Sequence, residues 1–124
     1  MIGAGYVPHS LIFPHAEAIV HHGGVGTTAQ ALRAGKPQLI TPFAGDQPDN
    51  AMRMCRLGVA RQLAPNAYAP RKAAQALAAL TRDRSVTLKA GEVGRSVASE
   101  RGAEVAADLI EAQLMGDPRL RAEA

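Results

Sequence analysis

Glu17-Ala18-Ile19-Val20-His21-His22-Gly23-Gly24-Val25-Gly26-Thr27-Thr28 is the stretch whose reading decides the fold. A short apolar run over 17–22 suits a buried strand. Glycines follow, and Thr27 to Ala34 fits a helix that Gly35 and Pro37 stop. Downstream, Gln38-Leu39-Ile40-Thr41 reads as a second strand closed by Pro42, and a helix spans about Asp49 to Leu57, with Gly58 as its C-terminal cap. Val59 to Leu63 fits a third strand. Ala69 to Thr81 repeats at helical spacing, with Ala73, Leu77 and Leu80 on one face. A last helix is predicted from about Val97 to Leu114, striped by Val105, Leu109 and Ile110 with Ala106 beside them. Upstream, Ile2 to Val7 reads as the end of another strand and Ser10 to Phe13 as a helical turn. Residues 83–96 are polar and read as a loose connection. Strand-helix alternation predicts a parallel sheet with right-handed crossovers. The fold class is therefore α/β: half of a doubly wound, Rossmann-like parallel sheet of three to four strands with flanking helices.

The chain has 124 residues, enough for one core and too few for two ordinary domains. Fourteen Lys and Arg against eleven Asp and Glu leave a formal charge of +3. No dense basic run accompanies it, and the aromatics are only Tyr6, Phe13, Phe43 and Tyr68. Nucleic-acid binding is not expected. No apolar stretch is long enough to span a membrane, and the N-terminus lacks a signal-peptide pattern. Cys55 is alone, so neither an internal disulfide nor a cysteine-built zinc site is expected. A reduced, soluble, cytoplasmic protein is the expectation. Much of the apolar content is Ala, which predicts a core of small residues and close helix–sheet packing.

The glycine-rich turn carries the chemistry. The first N–H groups of a helix have no intrahelical partners. The macrodipole adds about half a positive charge at the same end. Together they make an anion site suited to phosphate. Thr27 and Thr28 offer hydroxyl donors, and His22 offers an imidazole N–H. An ordinary tight turn that needs glycine for its geometry explains the glycines alone nearly as well. Asp46-Gln47 follows the second strand and precedes a helix, at the carboxyl rim where open α/β sheets bind ligands. The pair suits sugar hydroxyls, although Asp46 standing alone reads first as a helix cap.

Gly24-Val25-Gly26-Thr27-Thr28-Ala29, with Asp46 twenty residues beyond Gly26, also fits a dinucleotide fingerprint. Pro42 and three further residues separate that Asp from the strand end, which weakens a dinucleotide-dependent oxidoreductase reading. His9, His15, His21 and His22 form no metal-ligand spacing. Cys55 sits in an apolar helical context and reads as packing.

Tyr6-Val7-Pro8-His9, the histidine–glycine stretch, Ala34-Gly35-Lys36-Pro37, Pro42 and Asp46-Gln47, in this order and spacing, closely resemble the C-terminal donor-binding domain of family 1 glycosyltransferases, which are GT-B enzymes. The resemblance runs through Ala51, Leu57-Gly58 and the closing helix. It implies that residues 1–124 form one partial domain, the second half of a nucleotide-sugar-binding domain. It places Tyr6, Val7 and His9 on the stretch near the base, Tyr6 in the position of a stacking aromatic. It places His22 on the diphosphate and Gly24, Gly26 and Thr27 around the phosphates. Gln30 falls where many members have a ribose-binding Glu, and Asp46 and Gln47 fall on the donor sugar. The implied donor is a UDP-sugar or other NDP-sugar, used without a metal or other cofactor. The implied reaction is inverting transfer, with the catalytic base in an acceptor domain outside these residues, so no catalytic residue is assigned and no transfer by the chain alone is expected. The strand at 18–22 would then present an open edge to a partner, either a homodimer or the other half of the domain. A non-catalytic oligomerising nucleotide-binding module is the alternative.

Overall fold

The structure is a computed structural model that describes residue 3 and residues 5–115. Helix α1 (His9–Ile12) runs into a 3-10 turn at Phe13–His15. Strand β1 (Ile19–His21), helix α2 (Val25–Arg33), strand β2 (Gln38–Ile40), helix α3 (Gln47–Arg56) and strand β3 (Ala60–Gln62) follow in alternation. Helices α4 (Pro70–Arg82), α5 (Arg84–Ser99) and α6 (Gly102–Leu114) complete the described chain. The sheet order is β1-β2-β3 and both pairings are parallel, in register Ile19↔Gln38 and Gln38↔Ala60. This is the expected α/β half-sheet, with three strands among the described residues.

β2 is central and fully buried, as a strand covered on both faces must be. On one face Ile40 and Ala60 pack with Ala51 of α3 and Ala90 of α5, joined by Val59 between α3 and β3. A second cluster joins Phe13, Ile19 and Ala31. Ala31, Ala51 and Ala90 on the helices pack beside larger residues such as Phe13, Ile19, Leu39, Ile40 and Leu80, so only part of the core is the small-residue packing that the composition predicts. α4, with Leu80 buried, packs on β2 and β3. Val20 is paired with the buried Leu39, yet it is 44 % exposed because β1 is an edge strand.

Three expectations are corrected. Residues 83–96 are not a loose connection but most of α5. Asp83 caps that helix, its carboxylate accepting the Ser85 N–H at 3.1 Å and the Ser85 hydroxyl at 2.6 Å. Gly91 and Gly94, which weaken a helix on propensity alone, let α5 cross the end of α2. A Cβ on Gly94 would lie 2.5 Å from the Gly35 Cα. The closing helix does not begin at Val97. Val97 ends α5, Glu100 turns extended, and α6 starts at Gly102. The stripe Val105, Leu109 and Ile110 is at least half exposed. The strand expected over Ile2–Val7 lies partly outside the described residues, and residues 5–8 join no ladder. No described helix is long and apolar enough to cross a membrane.

Candidate functional site

Two parallel crossovers deliver the N-terminal ends of α2 and α3 to the same rim of the sheet. Gly23 sits between them at φ +94°, a conformation that side chains disfavour. A Cβ there would meet the Ile40 side chain at 2.9 Å and the Gln47 carbonyl at 3.2 Å, so the turn is closed tightly against α3. Gly24 begins α2 without a side-chain cap. The first intrahelical bond runs from the Thr28 N–H to the Gly24 carbonyl at 3.0 Å. The N–H groups of Val25, Gly26 and Thr27 therefore have no helical acceptor. A Cβ at Gly26 would meet nothing within 4 Å, so the backbone is open to a ligand there.

The two adjacent histidines have different tasks. The His21 Nδ1 accepts the Gly23 N–H at 3.0 Å, so its Nε2 carries the proton and donates to the Gln38 Oε1 at 2.9 Å. Burial holds this imidazole below its usual value of 6.5, outweighing the Gln38 hydrogen bond, and His22 and His9 push in the same direction as burial. His21 is thus neutral near pH 7. His22 is exposed, and its Nε2 lies 2.6 Å from where a Gly24 Cβ would stand. The ring lies along the start of α2, where a Cβ on Gly24 would make this exposed side chain turn aside. Thr27 is half-buried on the first turn. Thr28 is committed elsewhere, its hydroxyl donating to the Gly24 carbonyl at 2.9 Å. Of the two threonines, Thr27 is left to meet a ligand.

Asp46 and Gln47 stand at the start of α3, across the rim. Asp46 does not cap that helix with its side chain. Its Oδ2 accepts from the Asn50 Nδ2 at 2.7 Å, and the same nitrogen donates to the Gly23 carbonyl at 2.9 Å. The Gln47 Oε1 accepts the N–H groups of Phe43 and Ala44 at 2.8 and 3.3 Å, shaping the loop and leaving the amide nitrogen for a ligand. Between β1 and this loop lies an open depression of about 280 Å³, lined by Val20, His21, His22, Thr41, Phe43 and Tyr68.

The stretch expected near a base is less converged. Tyr6 is 94 % exposed and Val7 is half-buried. The His9 ring stacks on Phe13, with centroids 4.4 Å apart. Gln30 is exposed on α2 and shares a surface groove with Ser10, Pro14 and Arg33, next to the helix that carries His9. Sequence reading missed Asn50 and Gln38. The first stands one helical turn from Asp46, a spacing at which side chains meet. Cys55 packs beside the Ala51–Val59 cluster, and burial pushes its thiol up. Among the described residues, no group of three His, Cys, Asp or Glu side chains is placed to hold a metal ion.

Residues 2–112 match the family described as erythromycin biosynthesis protein CIII-like, C-terminal domain. The chain belongs to that family. It is 42 % identical over 104 residues to the O-mycaminosyltylonolide 6-deoxyallosyltransferase of Streptomyces fradiae, covering 83 % of this chain and 25 % of that protein. It is equally 42 % identical over 107 residues to the sterol 3-beta-glucosyltransferase of Pichia angusta, covering 86 % of this chain and 8 % of the relative. The calicheamicin glycosyltransferase CalG4 superposes with a TM-score of 0.83 at 30 % identity, over 91 % of this chain and 30 % of that one. The glycosyltransferase VinC, solved in complex with DTDP, superposes at 0.71 with 32 % identity, over 76 % of this chain and 24 % of its own. The chain thus spans at most about a quarter of these curated relatives. The family is one of glycosyltransferase C-terminal domains, and the dinucleotide-oxidoreductase alternative falls away with it.

Proposed function

We propose that this chain forms the nucleoside-diphosphate-sugar-binding face of an inverting, GT-B glycosyltransferase, as the second half of its donor domain. The observation that carries the reading is the start of α2: three N–H groups without helical acceptors, open space over Gly26, and the His22 ring lying alongside. VinC in complex with DTDP, a structural neighbour, supports a nucleoside diphosphate as the ligand class.

In this reading the α2 N–H groups, the Thr27 hydroxyl and His22 bind the diphosphate, with Gly24 and Gly26 giving the backbone room. Asp46 and the Gln47 amide hold sugar hydroxyls. Gln30 faces the ribose, and Tyr6, Val7 and His9 form the base-proximal stretch. During transfer, an acceptor oxygen bonds to the anomeric carbon while the bond to the phosphate oxygen breaks, with inversion. The departing diphosphate gains negative charge, which fixed donors and a helix end stabilise without a metal. The base that takes the acceptor proton belongs to the acceptor domain, so the chain by itself binds donor without transferring sugar. A cytoplasmic setting goes with this reading.

Calorimetric titration with UDP and TDP tests it, together with a transfer assay on the 124-residue chain. Saturable binding of either nucleotide without sugar transfer is the expected result. Absence of binding to both overturns the reading.

The outer edge of β1 favours a second association. Val20 is 44 % exposed on an edge strand, and such an edge accepts a further strand. The partner is either a second copy or the other half of the donor domain. A concentration-independent monomer in sedimentation rejects the homodimer.

A further inference from the structure

We propose that His21 and Asn50 are positioning residues for the diphosphate turn, gripping Gly23 by its N–H and by its carbonyl and so fixing how α2 and His22 are presented. The inference rests on the donor-site reading above and names the parts that keep that site in register.

The geometry is complete on both sides of Gly23. The His21 Nδ1 lies 3.0 Å from the Gly23 nitrogen, and the Asn50 Nδ2 lies 2.9 Å from the Gly23 oxygen. Asn50 places its other N–H on Asp46 at 2.7 Å, tying the sugar-facing carboxylate to the same turn. The His21 ring is locked from behind by Gln38, which is fully buried. That lock has a cost, because the Gln38 Nε2 is buried without a hydrogen-bond partner. Turning the Gln38 amide over would satisfy neither group. The His21 ring already uses Nδ1 as acceptor, so Nε2 must donate, and Gln38 must present its oxygen. A buried amide left half satisfied for the sake of one imidazole orientation marks that orientation as the feature being kept. Neither His21 nor Asn50 touches the space over Gly26, so they act through Gly23 rather than on the ligand.

The test uses His21→Gln, His21→Asn and Asn50→Ala in the whole 124-residue chain, titrated with UDP while thermal melting is followed. An Asn Oδ1 reaches the place of Nδ1 and keeps an acceptor for Gly23, whereas Gln reaches only toward the place of Nε2. His21→Gln and Asn50→Ala are expected to weaken UDP binding about tenfold or more. His21→Asn is expected to recover most of that loss while all three variants still melt cooperatively. A bare structural role predicts no such rescue. Wild-type affinity in His21→Gln and Asn50→Ala, or a loss in His21→Asn as deep as in His21→Gln, overturns the proposal.

A second readout is independent of ligand and of any variant that fails to fold. The imidazole nitrogens of the unmodified, isotope-labelled chain are expected to report an Nε2–H tautomer at His21, with the Gly23 amide protected from exchange. An Nδ1–H tautomer or an unprotected Gly23 amide overturns the proposal. Should the unmodified chain bind neither UDP nor TDP, the donor-site reading falls, and these spectra still decide the Gly23 grip.

Discussion

The Asn50 Nδ2 lies 2.9 Å from the carbonyl oxygen of Gly23, although 27 residues separate them in the chain. Through this bond the start of α3 holds the turn that opens α2. The two helix ends that face the rim are thus tied to each other directly.

Gly26→Ala separates folding from binding. The added methyl meets no protein atom within 4 Å. Replacing glycine in a helix stabilises by roughly 0.5–1 kcal/mol in an interior turn, less this close to the end. The variant is expected to melt at or slightly above the parent temperature and to lose nucleoside diphosphate affinity, because its methyl enters the space over the N–H groups. Melting curves paired with UDP titration check this. Unchanged affinity would remove Gly26 from the site.

His22→Ala is expected to weaken UDP binding about tenfold, the worth of one charge-assisted hydrogen bond. Its ring is exposed, so the melting temperature should barely move. Binding enthalpy and thermal melting measured together check the split. A large fall in melting temperature would mean that the residue supports the fold instead.

Gly94→Ala tests the crossing of α5 over α2. The new Cβ would stand 2.5 Å from the Gly35 Cα and 2.9 Å from its nitrogen, both backbone atoms that cannot turn aside. A destabilisation of about 1–3 kcal/mol is expected despite the better helix former. Urea denaturation checks it. A stabilised variant would show that the two helices separate at little cost.

Stability should fall on the acid side because of His21. Its imidazole is held below 6.5 in the fold by burial and returns toward that value when the chain unfolds. Between the two values the unfolded chain binds more protons, so stability rises with pH through that interval. The full contribution is present above pH 6.5 and is lost as pH falls through the folded value. Urea midpoints from pH 5 to 8, compared with those of His21→Asn, check it. A slope shared by both proteins would assign the effect to another group.

The alternation at 19–62 was legible because each element carries its own period, and Gly35, Pro37 and Gly58 punctuate it locally. The start of α2 was legible for the same reason: its glycines and histidines are neighbours in sequence. α5 was not legible. Gly91 and Gly94 argue against a helix until α2 lies beneath them, and that requirement is tertiary. The shared work of His21, Gln38 and Asn50 was hidden because it depends on contacts 17 and 27 residues apart. The stripe of α6 was legible as a period, but a period does not say what covers it, and among the described residues its members stay exposed.

α2 is pinned at both extremities: at its start through Gly23, and just past its end, where Gly35 meets Gly94 backbone to backbone. A rod fastened at both tips neither slides along its axis nor tilts on the strands below. Its amide-bearing tip is therefore held at one height above the sheet.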